Sequence, residues 1–255
     1  MQLTDTIKAR LQKKEILLMT HLVLGYPSLE ANRQVIRQMV ENGVDLIEMQ
    51  IPFSEPMADG PVIAQANQEA LSTGIKVREC IEFASEIIKE YDIPFLFMTY
   101  YNILYKFGVE EFVSQAAELG ITGLIIPDLP PEEGKVYLEA TAKHGLAPIM
   151  IYAPTSTEAR MKTLASHGDG FIYCVARKGV TGAKTSFDQE FDDYMATCRK
   201  AAGDLPLAVG FGISQKADLD YLTGKADIAV IGSATIRLVE EKGVDAVGEF
   251  IAGLF

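Results

Sequence analysis

The sequence has few basic residues and no long apolar run. Its 255 residues include 23 Lys and Arg against 35 Asp and Glu, a net charge of −12 at pH 7. Nucleic acids and anionic membranes bind basic surfaces, so neither is an expected partner. No stretch approaches the roughly 18 apolar residues of a membrane-spanning helix, and residues 1–14 lack the apolar run of a signal peptide.

Cysteine and histidine are also scarce. The three cysteines are Cys80, Cys174 and Cys198. They form no Cys-x-x-Cys or Cys/His spacing, so we expect reduced thiols, a cytoplasmic protein and no metal site. Of the three histidines, His144 and His167 fall near predicted helix ends, where capping is expected. His21 falls late in an apolar run and could line the mouth of a site.

What the sequence does contain is a repeated alternation of short apolar runs and longer amphipathic stretches. The strand-like runs are 17–23, 44–51, 95–100, 123–127, 147–152, 170–175, 205–209 and 228–232. The helical stretches are 28–41, 77–91, 109–119, 131–144, 157–167, 188–201, 216–222 and 239–254, and 4–11 adds an N-terminal helix. Ser28 and Thr155 are predicted N-caps, and Pro130-Pro131 is predicted to open a first turn.

Eight strand–helix units in about 250 residues predict an α/β fold, a closed (β/α)8 TIM barrel with an extra N-terminal helix. We expect one domain over residues 1–255. The alternative is an open doubly wound sheet. In either architecture, ligands bind at the carboxyl ends of the strands.

Two acids stand at the end of the second strand-like run. Glu48 is embedded among apolar residues, and Asp59 lies in a Pro-rich loop just before Gly60-Pro61, which is predicted to open a helix. Burying a carboxylate costs free energy unless it is paired or opens into a cleft. Two acids in different surroundings are suited to acid–base catalysis. The structural alternatives are an ion pair for Glu48 and a simple turn for Asp59.

Two glycine-containing turns follow the seventh and eighth runs. They are Val209-Gly-Phe-Gly-Ile213 and Ile231-Gly-Ser-Ala-Thr235. Glycine lets backbone N–H groups approach an anion, and this is the usual phosphate site of a barrel, although a tight turn would use the same residues. The polar, glycine-rich loop 177–186 is either a lid over the substrate or a surface loop. Cofactor-free chemistry on a small phosphorylated substrate is the simplest interpretation.

From residue 17 to the C-terminus these motifs resemble the tryptophan synthase alpha subunit family. The matching segments are Ile47-Glu-x-x-Ile-Pro-Phe-Ser-Glu-Pro-x-Ala-Asp-Gly-Pro61, Phe97-Met-Thr-Tyr-Tyr-Asn102, Ile126-Pro-Asp-Leu-Pro-Pro-Glu-Glu133, Phe171-Ile-Tyr-Cys-Val-Ala-Arg-Lys-Gly-Val-Thr-Gly182 and Val209-Gly-Phe-Gly-Ile213. The resemblance implies a (β/α)8 lyase of tryptophan biosynthesis. Such a lyase cleaves indole-3-glycerol phosphate to indole and glyceraldehyde 3-phosphate in a retro-aldol reaction.

The resemblance also implies roles for individual residues. Glu48 would exchange protons with indole C3 and the C3′ hydroxyl, Asp59 would hold the indole N–H, and Tyr173 would lie against the substrate near Glu48. The implied substrate and phosphate contacts are Tyr100, Asp128, Thr181, Gly182, Phe211, Gly212, Gly232 and Ser233.

By the same resemblance, the partner is a tryptophan synthase beta subunit in an alpha2beta2 assembly. The pyridoxal phosphate cofactor belongs to that subunit, and no cofactor is expected in this chain. Pro52, Pro56 and Asn102 resemble docking residues. Gln50 stands where glycine is usual, and Glu55 where aspartate is usual. These departures leave open how strongly a beta subunit binds, and Gln50 could narrow the mouth or hydrogen-bond to Glu48.

Three alternatives to that function remain at this point. The chain could be a stand-alone indole-3-glycerol-phosphate lyase that releases free indole. It could be an activating subunit with weak chemistry of its own. It could also be another phosphate-sugar barrel enzyme of the same pathway.

Overall fold

Eight parallel strands close into a barrel in the order of the chain, and β8 pairs with β1. The computed structural model describes residues 2–175, 189–210 and 212–255. The predicted closed barrel is confirmed, and the open sheet is wrong. The proposed lid 177–186, with Thr181 and Gly182, and Phe211 lie outside the described residues.

The strands are short and lie close to the predicted runs. They are β1 Leu17–Val23, β2 Leu46–Gln50, β3 Phe95–Met98, β4 Gly123–Ile125, β5 Ala147–Tyr152, β6 Ile172–Val175, β7 Leu207–Gly210 and β8 Ile228–Ile231. The helices are α1 Leu3–Leu11, α2 Leu29–Glu41, α3 Pro61–Ser72, α4 Val77–Ile87, α5 Tyr101–Phe107, α6 Val109–Leu119, α7 Lys135–His144, α8 Glu158–Ala165, α9 Gln189–Ala202, α10 Lys216–Leu222, α11 Ser233–Lys242 and α12 Ala246–Ala252. None of these helices is long and apolar enough to cross a membrane.

The strands are apolar on both faces because they separate two cores. One core lies inside the barrel, and the larger one lies between the strands and the surrounding helices. Within β2, Leu46 belongs to the inner core and Ile47 to the outer core. Since side chains alternate along a strand, Glu48 and Gln50 share the inward face with Leu46.

Helix α1 covers the end of the barrel where the strands begin. Leu3 and Ile7 are buried in the inner core. The Thr4 hydroxyl donates to Asp169 Oδ1 at 2.7 Å, just before β6. The opposite end, where the strands finish, is therefore the one open to a ligand.

Several predicted boundaries are corrected. Ser28 caps α2 as expected, but Thr157, not Thr155, caps α8 by accepting from the Arg160 N–H. The residues after Pro130-Pro131 form turns, and α7 begins only at Lys135. The predicted helix 239–254 is the end of α11 followed by α12, because Gly243 takes a positive φ of 82° between them.

Candidate active site

Glu48 is held inside the barrel mouth by a histidine from the neighbouring strand. Strand register places His21 of β1 beside Glu48 of β2. His21 Nδ1 lies 3.0 Å from Glu48 Oε1, and both residues are almost fully buried, at 4% and 3% exposure. Burial acts to lower the pKa of His21, but the charge and hydrogen bond of Glu48, with smaller contributions from Asp59 and Gln50, together outweigh it and the pKa is raised.

Asp59 is held by two donors, both of which bind the same oxygen. The Gln50 amide donates to Asp59 Oδ2 at 2.7 Å, and the Tyr100 hydroxyl donates to the same atom at 3.0 Å. The Tyr100 hydroxyl also accepts from the Ala58 N–H at 3.0 Å, which ties the loop to the start of α5. Burial raises the pKa of Asp59, and these two hydrogen bonds and the charge of His21 oppose that rise.

Tyr173 of β6 lies at the barrel mouth with Glu48 and Asp59. Burial, with the nearby charges of Glu48 and Asp59, holds the pKa of its phenol well above the usual range, so the hydroxyl stays protonated. The ring occupies space that Gly210 of β7 leaves free. A Cβ at residue 210 would lie 2.6 Å from the ring and from its hydroxyl oxygen.

The two glycine-containing turns lie together at the same mouth. Gly212 takes a φ of 84°, a backbone conformation that favours glycine. Gly232 is the N-cap of α11, and Ser233 is the first residue of that helix. The first N–H groups of a helix have no partner within it, and the helix dipole favours an anion there.

One cavity joins these features. Its walls include Glu48, Asp59, Tyr173, Gly212, Gly232 and Ser233 from the predicted site, together with His21. The remaining lining is mostly apolar: Ile63, Met98, Ile125, Ile151, Ile213 and Val230. An apolar cleft with two acids on one side and an anion-binding turn on the other suits an aromatic substrate with a phosphate tail.

Two predicted contacts are placed differently. Tyr100 is fully buried beneath Asp59 and does not line this cavity. Asp128 accepts from the Tyr101 N–H at 2.8 Å, at the start of α5, and lines a separate cleft. In the structure, Tyr100 acts on Asp59, and Asp128 acts on a helix terminus.

The three predicted docking residues differ in exposure. Pro52 is buried, Pro56 is partly buried and Asn102 is exposed. Close to them on the surface, Met57 and Tyr105 are the most exposed large apolar side chains in the described residues, at 76% and 67%. They lie on the β2–α3 loop and on α5.

The sequence does not predict the contacts that His21, Gln50 and Gly210 make in the structure. The sequence suggests for His21 only a place at the mouth of a site, whereas in the structure it pairs with Glu48. For Gln50 the sequence leaves open a narrower mouth or a hydrogen bond to Glu48, and in the structure its amide donates to Asp59 instead. The motif 209–213 assigns Gly210 to the phosphate turn, whereas in the structure this glycine leaves space for the Tyr173 ring. Strand alternation could have placed Gln50 inward, but the His21 pairing needed the register of β1 against β2.

No group of three or more His, Cys, Asp or Glu side chains in the described ranges could hold a metal ion. The three cysteines are free and buried.

Comparison with known proteins gives one consistent family. A family model described as tryptophan synthase alpha chain matches residues 7–250. The curated tryptophan synthase alpha chain of Desulfotalea psychrophila is 61% identical over 254 residues, which cover 100% of both chains.

Solved structures agree with the sequence comparison. A structure of Mycobacterium tuberculosis tryptophan synthase superposes with a TM-score of 0.91 at 32% identity, covering 99% of this chain and 96% of that chain. A structure described as the tryptophan synthase a2b2 complex from the hyperthermophile Pyrococcus furiosus gives 0.87 at 29% identity, covering 93% and 97%.

Proposed function

Since the chain belongs to the tryptophan synthase alpha chain family, we infer that it cleaves indole-3-glycerol phosphate to indole and glyceraldehyde 3-phosphate. It does so as the alpha subunit of tryptophan synthase, in tryptophan biosynthesis. One observation in this chain carries the assignment: Glu48 and Asp59 line one cavity with the glycine turns at Gly212 and Gly232.

The phosphate is bound at the glycine turns. Backbone N–H groups at Gly212, Gly232 and Ser233 supply donors, and the N-terminus of α11 supplies a favourable dipole. The resemblance adds Thr181, Gly182 and Phe211 to this group. Binding at a distance from the bond that breaks orients the indole ring and its side chain at the acids.

Glu48 moves the protons of the reaction. Its carboxyl group gives a proton to indole C3, and the ring takes up the positive charge. The C3′ hydroxyl proton then passes to Glu48, the C3–C3′ bond breaks, and its electron pair returns to the ring. Glu48 ends as it began, and indole and an aldehyde are released. A positioned acid–base group of this kind contributes ~10²–10⁴-fold to the rate.

Asp59 stabilises the charge that develops on the ring. Its carboxylate accepts the indole N–H while Oδ2 stays bound to Gln50 and Tyr100. This role needs the ionised form, so activity falls as pH drops through the raised pKa of Asp59. The neutral phenol of Tyr173 packs beside the substrate near Glu48.

The partner is a tryptophan synthase beta subunit in an alpha2beta2 assembly. We place its docking surface at Pro52, Pro56 and Asn102. The exposed apolar side chains Met57 and Tyr105 lie on the same loop and helix as these residues and support that placement. Pro52 is buried, so it acts there by shaping the loop.

Three further assignments complete the proposal. Pyridoxal phosphate is held by the beta partner and not by this chain. Residues 1–255 form one domain, which the single closed barrel supports. The protein works in the cytoplasm, consistent with a biosynthetic enzyme family.

An indole-release assay tests the function directly. Purified chain is given indole-3-glycerol phosphate with and without a beta subunit. The chain contains no tryptophan, so in the arm without a beta subunit indole-type fluorescence comes from substrate and product alone. We expect indole release from the chain itself and a faster turnover with the beta subunit. A chain that releases no indole under either condition would contradict the proposal.

A further inference from the structure

The side chain of His21 has no role in the reaction described above, yet it is buried against Glu48, the residue that moves the protons. His21 Nδ1 and Glu48 Oε1 are 3.0 Å apart. The second oxygen, Glu48 Oε2, and the second ring nitrogen, His21 Nε2, are both buried and have no hydrogen-bond partner among the residues that the structure describes. One oxygen of the acid is therefore held, and the other is unpaired, in a residue that lines the cavity.

Chemistry decides the direction of this hydrogen bond. An ionised carboxylate only accepts, so Nδ1 must carry the proton and donate to Oε1. When Glu48 is protonated, Oε1 can still accept from Nδ1–H if the carboxyl proton sits on Oε2. The histidine thus selects the oxygen that exchanges a proton with the ligand in the cavity.

We propose that His21 is a positioning residue for Glu48: its Nδ1–H fixes Oε1 and directs Oε2 and its exchangeable proton into the cavity. This inference rests on the proposed function, since Oε2 must face the substrate for the positioning to matter. It assigns to His21 a specific effect on turnover, with little effect on substrate binding.

The surroundings of His21 leave Glu48 as its main charged neighbour. The groups facing it are Glu48 of β2, Asp59 of the β2–α3 loop and the polar Gln50. Tyr173 of β6 shares the cavity and stays neutral. On the β8 side, the nearest backbone is Gly232, and α3 contributes the apolar Ile63. The Nδ1–Oε1 contact is thus the interaction that an experiment on His21 would report.

Two substitutions separate the hydrogen bond from simple packing. His21→Phe keeps a ring and removes the donor, whereas His21→Asn places an amide N–H close to the position of Nδ1. For His21→Phe we expect kcat of indole release to fall by about tenfold to a hundredfold with KM changed far less. His21→Asn should recover most of that loss.

A second measurement reports the contact without catalysis. The chain has three histidines, so their ring signals can be followed by NMR, with His21→Asn assigning the one of interest. In the parent, His21 should titrate above the ordinary histidine value, and in Glu48→Gln its midpoint should drop, because the charge that raises its pKa is gone.

The outcomes are separable. A parent that releases no indole refutes the proposed function, whatever His21 does. With an active parent, a folded His21→Phe protein that keeps the parent kcat would overturn the inference. So would His21→Asn being no better than His21→Phe, or a His21 midpoint unmoved by Glu48→Gln.

Discussion

At the scale of single residues, each acid has one oxygen engaged by a neighbouring side chain. Glu48 Oε1 is held by His21, and Asp59 Oδ2 is held by Gln50 and Tyr100. Hydrogen bonds to charged groups typically contribute ~1.5–3 kcal/mol to stability. Such bonds fix the rotamers of both acids before a ligand binds. A site whose catalytic groups are already in position accelerates the reaction.

Gln50 is one of the groups that limit the rise of the Asp59 pKa caused by burial. In Gln50→Leu, the donor to Asp59 Oδ2 is lost while the bulk is kept, so the pKa of Asp59 rises further. Activity needs the carboxylate, so the acid limb of the kcat/KM profile should move to higher pH. Gln68→Leu on the exposed face of α3 is the control and should leave the profile unchanged. An acid limb that stays in place in Gln50→Leu would refute this role.

Gly210 keeps the Tyr173 ring in its place. A Cβ at this position would meet the ring at 2.6 Å, so Gly210→Ala should push the ring toward the substrate and slow indole release by about tenfold or more. The rate is measured at saturating substrate. Gly134→Ala serves as the control, because there the added Cβ meets its neighbours at 3.4 Å or more. Equal rates for the two variants would show that Tyr173 tolerates displacement.

At the scale of helices and strands, the sequence predicts where elements lie better than where they end. The runs 17–23 and 147–152 coincide with β1 and β5, since continuous apolar character reflects burial on both faces. Helix α5 is not predicted, because its N-cap, Tyr100, is the last residue of the apolar run 95–100. Its start depends on the Asp128 carboxylate accepting from Tyr101, a contact between residues distant in the chain.

The residues of the candidate site could likewise be predicted only in part. Glu48 and Asp59 could be predicted because a carboxylate among apolar residues, and one before a helix start, are visible in the sequence. The side chains that hydrogen-bond to these two acids could not be predicted. His21 reaches Glu48 only through the register of β1 and β2, and Tyr100 reaches Asp59 only because the loop folds over the start of α5.

Helix α1 stabilises the barrel from the end remote from the cavity. Ile7 is fully buried in the inner core, so Ile7→Ala should lower the free energy of unfolding by about 2–4 kcal/mol. Denaturant unfolding measures this, and Lys8→Ala on the exposed face is the control. Indole release by the folded Ile7→Ala protein should match the parent. A matching stability for the two variants would show that α1 does not close the core.

At the scale of the whole molecule, binding an anionic substrate works against the net charge of −12. The backbone N–H groups of the glycine turns and the N-terminus of α11 act over a short range, where they are not cancelled by distant acids. The acidic surface keeps polyanions away, and the mouth still takes a small phosphate ester.

We expect binding of the beta subunit to depend on exposed apolar side chains at the barrel mouth. Met57 is 76% exposed, so Met57→Ser should weaken beta-subunit binding and reduce activation, with little effect on the chain alone. Titration of the beta subunit against indole release measures this. Phe255→Ser is the control, because Phe255 is also exposed but packs near Lys14 and Gly43, at the other end of the barrel. If Phe255→Ser weakened binding and Met57→Ser did not, the docking surface would be misplaced.

The most direct test of the two-acid site is single-turnover indole release by Glu48→Gln beside the parent. Glutamine keeps the shape of the side chain and cannot exchange a proton, so the rate should fall by ~10²–10⁴-fold while the phosphate ester still binds. Circular dichroism and the binding of indole-3-glycerol phosphate confirm that the variant is folded and loaded. A folded Glu48→Gln protein that cleaves bound substrate as fast as the parent would contradict the central claim.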